Sequence, residues 1–430
     1  MTSSKKQKLF QAPKGMHDIL PEDQKYWKYI MKKAESLLEF YGFERIDTPI
    51  LEPTDLFARS IGEGTDIVEK EMFTLKTKGG DSLTLRPEGT ASVVRAYLES
   101  GLNVKPHPVK LYYFGPMFRH EQPQHGRYRQ FYQLGAETIG DSSEIVDAEL
   151  IFLAYKFIDS LGLDNYNVHI NSLGDSQCRP NYLKALKDYY KTRLKKVCPT
   201  CKVRFKSNIL RMIDCKEPEC QEIAKDIPQT VDYLDEECRA HFKHVLEFLD
   251  EVKVPYILNP HLVRGFDYYT RTIFEILPEE NITAQSTLLG GGRYDKLINL
   301  LGGSKTAAAG WATGMERIVA TLKEKNVNVP DHRPKPKVFL VQLGEVAKRK
   351  SLNLFESFRK AGIETKSSLG RDSIKSQLRI AHRLGAKFTL IFGQKEALDG
   401  TVILKEMETG VQETIPLEKI VDEVKKRLKS

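Results

Sequence analysis

No stretch of this 430-residue sequence is apolar for long enough to form a membrane-spanning helix. Its opening, MTSSKKQKLFQAPKGMHDILPEDQ, has no apolar centre, so no secretion signal is expected and a cytoplasmic location is. Internal repeats and low-complexity tracts are missing. So is any GxxxxGK[ST] run, which removes the P-loop way of holding a nucleotide. Charge is not heavily one-signed: a net +8 and a pI near 8.9 allow a polyanionic partner without requiring one. Cysteine is sparse at six, yet Cys198, Cys201, Cys215 and Cys220 cluster as C-x2-C-x13-C-x4-C. Two readings stand. Four thiolates would close a tetrahedron around a structural Zn2+, or the thiols are reduced and packed as small hydrophobes. A catalytic zinc is not expected, because four protein ligands leave no open position.

The chain is long enough for two or three domains, and 40% hydrophobic with 29% charged residues is an ordinary globular balance. Apolar periodicity predicts a helix over 23–41 stopped at Gly42, followed by the strand-like FERIDTPILEP. DSLTLRPEGT reads as a strand and turn, with Glu88 opening the helix EGTASVVRAYLES. PVKLYYFGPMFR is a strand leading into a hairpin, and SSEIVDAELIFLAYKFIDSLGL is a long helix with an apolar face. From 176 to 254 the pattern is helical and polar and contains the cysteine cluster. Strands return with FDYYTRTIFEIL, the loop LLGGGRYD, and AAAGWATG before the helix MERIVATLKEK. Residues 327–337, with three prolines, read as a linker, and β–α alternation beyond it predicts a small α/β domain over 338–430. The fold class expected is therefore α+β. An antiparallel-sheet catalytic domain (1–175 and 255–326) is interrupted by a helical insertion (176–254) and followed by the α/β domain.

The hairpin carries unusual chemistry. On its second arm one face reads Arg127, Arg129, Phe131, Gln133, Gly135, Glu137, and the other Tyr128, Gln130, Tyr132, Leu134, Ala136, Thr138. With Arg119 ending the first arm, three guanidinium groups are available for phosphate or carboxylate. The plainer reading pairs them with Glu121 or Glu137 on the surface. HLVRGFDYYTRTIFEI adds Arg264 beside Gly265 and then Tyr268 and Tyr269, either a ligand wall or an edge strand with packed tyrosines. In GWATGMERI, Gly314 precedes a helix with Glu316 and Arg317 in its first turn. An arginine there opposes the helix dipole, which suits a bound anion, although an ordinary helix start accounts for it too.

With these runs in hand, the sequence resembles the class II aminoacyl-tRNA synthetases, and within them the histidyl-tRNA synthetase family. FERIDTPILEP, with Pro49, is similar to the first, dimer-forming motif of the class. FRHEQPQHGRYRQF is similar to the second and GWATGMERI to the third. LVRGFDYYTRTIFE and LLGGGRYD are similar to stretches specific to histidine enzymes, and TLRPEGT is a further match. The resemblance covers nearly the whole chain, insertion and C-terminal domain included.

It implies ATP with Mg2+, L-histidine and tRNA(His) as ligands, a homodimer, no membrane, and an anticodon-binding C-terminal domain. Arg119 would grip the α-phosphate, Arg127 and Glu121 would attend the rest of the nucleotide, and Arg317 would clamp the γ-phosphate. Arg264 would stand near the α-phosphate, doing work other class II enzymes give to a metal. Glu88, Gly89, Thr90, Gln133 and Glu137 would hold the histidine α-amino group and orient its carboxylate, with Tyr268, Tyr269 and Tyr294 around the imidazole. Gln122, where bacterial relatives often carry arginine, and Gln124 would face the extra 5′ guanosine of the tRNA. Arg371, Lys375, Arg379 and Arg383 form a basic stripe at helical spacing in the last domain, either a solvated face or a nucleic-acid surface. The rival expectation is a catalytically inactive paralogue, such as the regulatory subunit of ATP phosphoribosyltransferase.

Overall fold

The computed structural model describes all residues except 1–8, 63–64, 123–125, 280–285, 332–334, 369, 371–372 and 430. The chain divides into two compact units, Met1–Pro330 and Asp331–Ser430.

Among the described residues the first unit has eleven strands: Glu44–Arg45 (β1), Leu51–Pro53 (β2), Phe73–Lys76 (β3), Ser82–Leu85 (β4), Val109–Phe118 (β5), Gln130–Ile139 (β6), Tyr166–Ser172 (β7), Tyr256–Leu258 (β8), Thr270–Pro278 (β9), Leu289–Arg293 (β10) and Ala308–Gly314 (β11). Eight of them form one sheet in the order β1-β5-β6-β11-β10-β9-β7-β8. Only the outermost pairs, β1 with β5 and β7 with β8, are parallel. Every inner pairing is antiparallel. Strands β2, β4 and β3 make a small antiparallel sheet beside it. One face of the main sheet is apolar. Tyr132, Leu134 and Ala136 of β6 pack there with the helices Gln24–Phe40, Glu144–Ser160, Glu236–Glu251 and Met315–Glu324. The other face is only partly covered, by the helix Thr90–Glu99 and the short turn Leu297–Leu300, and this leaves room for a cavity.

Three local expectations are corrected. LLGGGRYD is not a loop: its glycines form the central strand β10, between β9 and β11. Glycine is needed because the backbone is crowded by its neighbours. A Cβ on Gly291 would lie 2.2 Å from the Gly310 carbonyl oxygen, and one on Gly292 would lie 2.5 Å from that of Thr272. Tyr268 and Tyr269 precede β9, which is itself interior, so the edge-strand reading of the tyrosine run does not hold. Finally, β6 starts only at Gln130. Arg129 sits in a bend, where its N–H donates to Gly15 O and its Nε to Glu121 O, so the alternating face does not extend back to it.

Residues 178–251 are helical apart from turns, and they pack in two ways. Tyr182, Leu186, Tyr190, Ile209 and Met212 form a core of their own with the four cysteines. The helix Glu236–Glu251 instead buries Phe242, Val245 and Leu249 in the main core. In the second unit the strands Val338–Gln342 (β12), Thr365–Ser367 (β13), Phe388–Phe392 (β14), Thr401–Glu406 (β15) and Gln412–Pro416 (β16) form a sheet in the order β13-β12-β14-β15-β16. It is parallel through β13, β12 and β14, as the β–α alternation predicts. It ends in the antiparallel ribbon β15–β16, which the alternation did not suggest.

Candidate active site

The open face of the main sheet holds a cavity of about 810 Å³. Glu88, Thr90, Arg119, Glu121, Arg127, Gln133, Arg264, Tyr268, Tyr269, Tyr294 and Arg317, all singled out in the sequence, line it. Gly89 and Glu137 do not; they stand behind the wall and shape it. Gln122 is described but outside the cavity, and Gln124 lies outside the described residues.

One end of the cavity is a buried polar shelf. Glu88 is only 1% exposed, and its carboxylate takes the first free N–H groups of the helix Thr90–Glu99, from Thr90 (2.6 Å) and Ala91 (2.8 Å). The helix thus begins at Thr90, with Glu88 capping it from two residues upstream. Glu137 accepts from the Thr90 hydroxyl (2.7 Å) and the Tyr294 hydroxyl. Burial pushes the Glu88 carboxyl up, against the pull of its N–H donors, and burial lifts Glu137 to about 8 despite its two hydroxyl donors. Gln133 Oε1 accepts from the Gly89 N–H (3.0 Å) and the Tyr113 hydroxyl (3.1 Å). Glycines make this shelf sterically feasible. A Cβ on Gly89 or Gly135 would enter the Tyr113 ring, and one on Gly310 would lie 1.6 Å from Glu137 Oε2. Beside the shelf, Tyr268 packs against Tyr269 (centroids 4.7 Å apart) and edge-on to Tyr294 (5.7 Å), while Phe266 stacks on its other side at 5.2 Å.

The other end is cationic. The Arg264 guanidinium forms an ion pair with Glu275 and lies over the Tyr269 ring. Burial pulls its pKa down, but Glu275 together with Tyr269 and Tyr268 outweighs this and the net shift is upward. Its Nε is buried without a partner, and Gly290 passes so close that a Cβ there would lie 2.5 Å from Nη1. Arg119 donates from Nε to Pro87 O (2.8 Å) and lies between the Phe131 and Phe266 rings. Glu121 pairs with Arg127 at 3.2 Å and sits 3.9 Å from Arg119, so the surface-pair reading is realised with Glu121 and not with Glu137. Arg317 donates to Thr287 O, and its pKa is lowered by burial and then by the like charge of Arg127. Glu316, beside it, turns away to accept the Tyr132 N–H with both oxygens (2.9 and 3.0 Å). Cations held close together against their mutual repulsion suit a polyanion.

Several contributors were not singled out in the sequence. Glu275 is one, although a lone carboxylate inside the apolar run TIFEIL was a usable signal. Arg204 and Arg211, from the helical segment, also line the cavity and had no local signature. The arginine of LLGGGRYD is absent from the wall. Arg293 is fully buried, paired with Asp147 at 2.7 Å, and Asp147 also meets His241 at 2.8 Å.

The sulfur atoms of Cys198, Cys201, Cys215 and Cys220 all lie within 4.8 Å of one another. Asp175, Cys178, Asp235 and Cys238 also approach to within that distance. There, however, Asp175 accepts from Gln177 and Cys178 N–H, Asp235 from Cys238 N–H, and Cys178 Sγ from Asp235 N–H. Those acceptors cap two helix starts.

The histidyl-tRNA synthetase family profile matches residues 15–318, and an anticodon binding domain profile matches 337–427. A histidine–tRNA ligase of Dehalococcoides mccartyi is 48% identical over 420 residues, 98% of this chain and 100% of that one. One of Caldicellulosiruptor saccharolyticus is 43% identical over 97% of this chain and 99% of its own length. Among solved structures, apo histidyl-tRNA synthetase of S. aureus superposes with a TM-score of 0.79 at 38% identity, covering 97% of this chain and all of that one.

Proposed function

The chain belongs to the histidyl-tRNA synthetase family, and on that premise we propose how its cavity carries out the family's reaction. The protein is a class II histidine–tRNA ligase. It joins L-histidine to ATP, releasing pyrophosphate, and passes the histidyl group to the 3′ end of tRNA(His). The observation that carries the residue assignment is the division of one cavity into a buried carboxylate–amide–tyrosine shelf and a cationic end.

In the first step a histidine carboxylate oxygen attacks the α-phosphorus, and the bond to the bridging oxygen of pyrophosphate breaks. Negative charge gathers at phosphorus, where Arg119 and Arg264 are the cations in reach. Arg127 and Arg317 take the β- and γ-phosphates, with Mg2+ accompanying the nucleotide. Glu121 holds Arg119 and Arg127 toward that task while the nucleotide is absent. Glu88, Thr90 and Gln133 receive the α-ammonium and orient the carboxylate, Gly89 anchors Gln133, and Glu137 fixes Thr90 and Tyr294. Tyr268, Tyr269 and Tyr294 enclose the imidazole. An amino acid without its ring nitrogens would leave buried polar groups unpaired, which costs enough to reject it.

The remaining parts of the reading concern the rest of the chain. Cys198, Cys201, Cys215 and Cys220 hold a structural Zn2+, a reading supported by their mutual approach. Residues 1–175 and 255–326 form the catalytic domain, 176–254 the insertion, 327–337 the linker and 338–430 the anticodon-binding domain. Lys375, Arg379 and Arg383 are exposed on one helix and suit the anticodon region of the tRNA; Arg371 lies outside the described residues. Gln122 and Gln124 belong to the loop nearest the acceptor end. Ile50 and Leu51 of the first motif are more than two-fifths exposed, apolar surface that a second copy would cover in a homodimer. The reaction's place is the cytoplasm.

The test is histidine-dependent ATP–pyrophosphate exchange without tRNA. Exchange with histidine and not with other amino acids is the expected result. A folded protein with no exchange would instead be the inactive paralogue, a reading that full-length similarity to ligases does not favour.

A further inference from the structure

We propose that the four-cysteine cluster is a positioning device for the amino-acid pocket. A divalent ion of the zinc class on Cys198, Cys201, Cys215 and Cys220 fixes the intervening chain as a clasp on the loop Arg264–Asp267. This inference rests on the reading that the cysteines bind metal and that the cavity takes histidine and ATP.

The cluster fits the ion. Tetrahedral zinc with Zn–S near 2.3 Å sets its sulfurs about 3.8 Å apart. Cys198 and Cys215 stand 3.8 Å apart, and the whole set falls within 4.8 Å. Two backbone N–H groups already point at sulfur, Cys201 N–H at Cys198 (3.4 Å) and Cys198 N–H at Cys220 (3.3 Å), donors that favour thiolate. All four cysteines are free of disulfides, and Cys201, Cys215 and Cys220 are buried.

What the cluster holds is more telling than the cluster itself. Between the second and third ligands the chain forms most of the helix Pro199–Ser207 and the turn Ile209–Met212. Three side chains of this span reach out to the pocket. Arg204 pairs with Asp66 at 3.2 Å and donates from its other terminal nitrogen to Arg211 O. Arg211 donates to Gly265 O at 2.9 Å, and Asn208 donates to Asp267 Oδ1 at 2.9 Å. The residues so gripped flank Phe266, which stacks on Tyr268, and Gly265 directly follows Arg264. Within the span Ile209, Met212 and Ile213, with the half-buried Phe205 and Leu210, pack in the same cluster as the cysteines, so ligation at its two ends bears directly on its register.

The experiment uses the full chain. Zinc content is measured, and Co2+ exchange is read by thiolate-to-metal absorption. The metal is then stripped under reducing conditions, and two quantities are followed: backbone hydrogen exchange over 264–269, and the histidine KM and kcat of pyrophosphate exchange. We expect about one zinc per chain. On stripping, the 264–269 amides should exchange about tenfold faster. The histidine KM should rise about 10- to 100-fold while kcat changes much less. Arg211→Ala should keep its metal yet raise KM in the same way, with Arg211→Lys recovering part of the loss. Absence of stoichiometric metal overturns the proposal, as does unchanged exchange at 264–269 after stripping. Should the stripped chain unfold, metal-loaded Arg211→Ala decides, and a KM like the parent's would sink the clasp. Metal-dependent protection at 264–269 in a protein with no histidine exchange would support the clasp and remove only the functional reading.

Discussion

Arg264 is held from three directions: an ion pair with Glu275, the face of Tyr269, and a glycine that leaves it room. A cation so confined is set for charge that arrives only during reaction. Arg264→Ala should therefore cut histidine-dependent pyrophosphate exchange by about 100- to 1,000-fold, in protein that a melting curve shows to be still folded. Glu137 offers a second test. Its folded-state pKa near 8 exceeds the ordinary carboxylate value, so the folded protein keeps a proton that the unfolded chain has lost. Stability of the unliganded protein should fall as pH rises from about 4.5 to 8 and then level off. In Glu137→Gln that part of the slope should vanish in urea titrations across the same range. Most of these residues were legible in the sequence, because arginines and tyrosines gathered in a few short runs have few uses in a packed core. Glu275 was legible only as a lone charge in TIFEIL; its role was not, since that depends on a partner eleven positions away.

At the scale of elements, β10 marks the limit of reading by pattern. Three successive glycines look like a turn because glycine is free to bend. In the folded sheet they serve the opposite need, letting strands and Arg264 approach a straight backbone. No property of the triplet alone separates the two. Arg293, next along, ties β10 to the helix Glu144–Ser160 through Asp147, and Asp147 ties both to His241 on Glu236–Glu251. Asp147→Ala would leave the fully buried Arg293 with the Asp295 carboxylate alone, at 3.2 Å, and take the partner of His241 Nε2 away, and should destabilise the first unit by up to about 3–5 kcal/mol in denaturant unfolding. Gly310→Ala should cost about 1–3 kcal/mol and also abolish exchange, because the new methyl group claims the place of the Glu137 carboxylate. The hairpin was legible for a different reason: in β6 the period-two alternation does separate a core face from a cavity face.

At the scale of the whole molecule, each unit has its own core and its own sheet. A chain ending at Pro330 should thus retain histidine-dependent exchange within a few-fold, while charging of tRNA, followed by transfer of labelled histidine, should fall far more. Rescue of charging to the full-length level would place tRNA selection in the first unit instead. The division was readable from prolines and the change to β–α alternation. The antiparallel ribbon closing the second sheet was not, because its last strand, QETIP, is polar and buries a single residue. The glycine strand has one more consequence, for anyone seeking an inhibitor. Gly290 and Gly310 put bare main chain on the floor of the cavity, and at each a new side chain would have to displace a neighbour, Arg264 or Glu137. A compound that rests on that floor presses against a surface the organism can hardly alter by single substitutions, so drug resistance would have to arise in the tyrosine wall or the arginine rim.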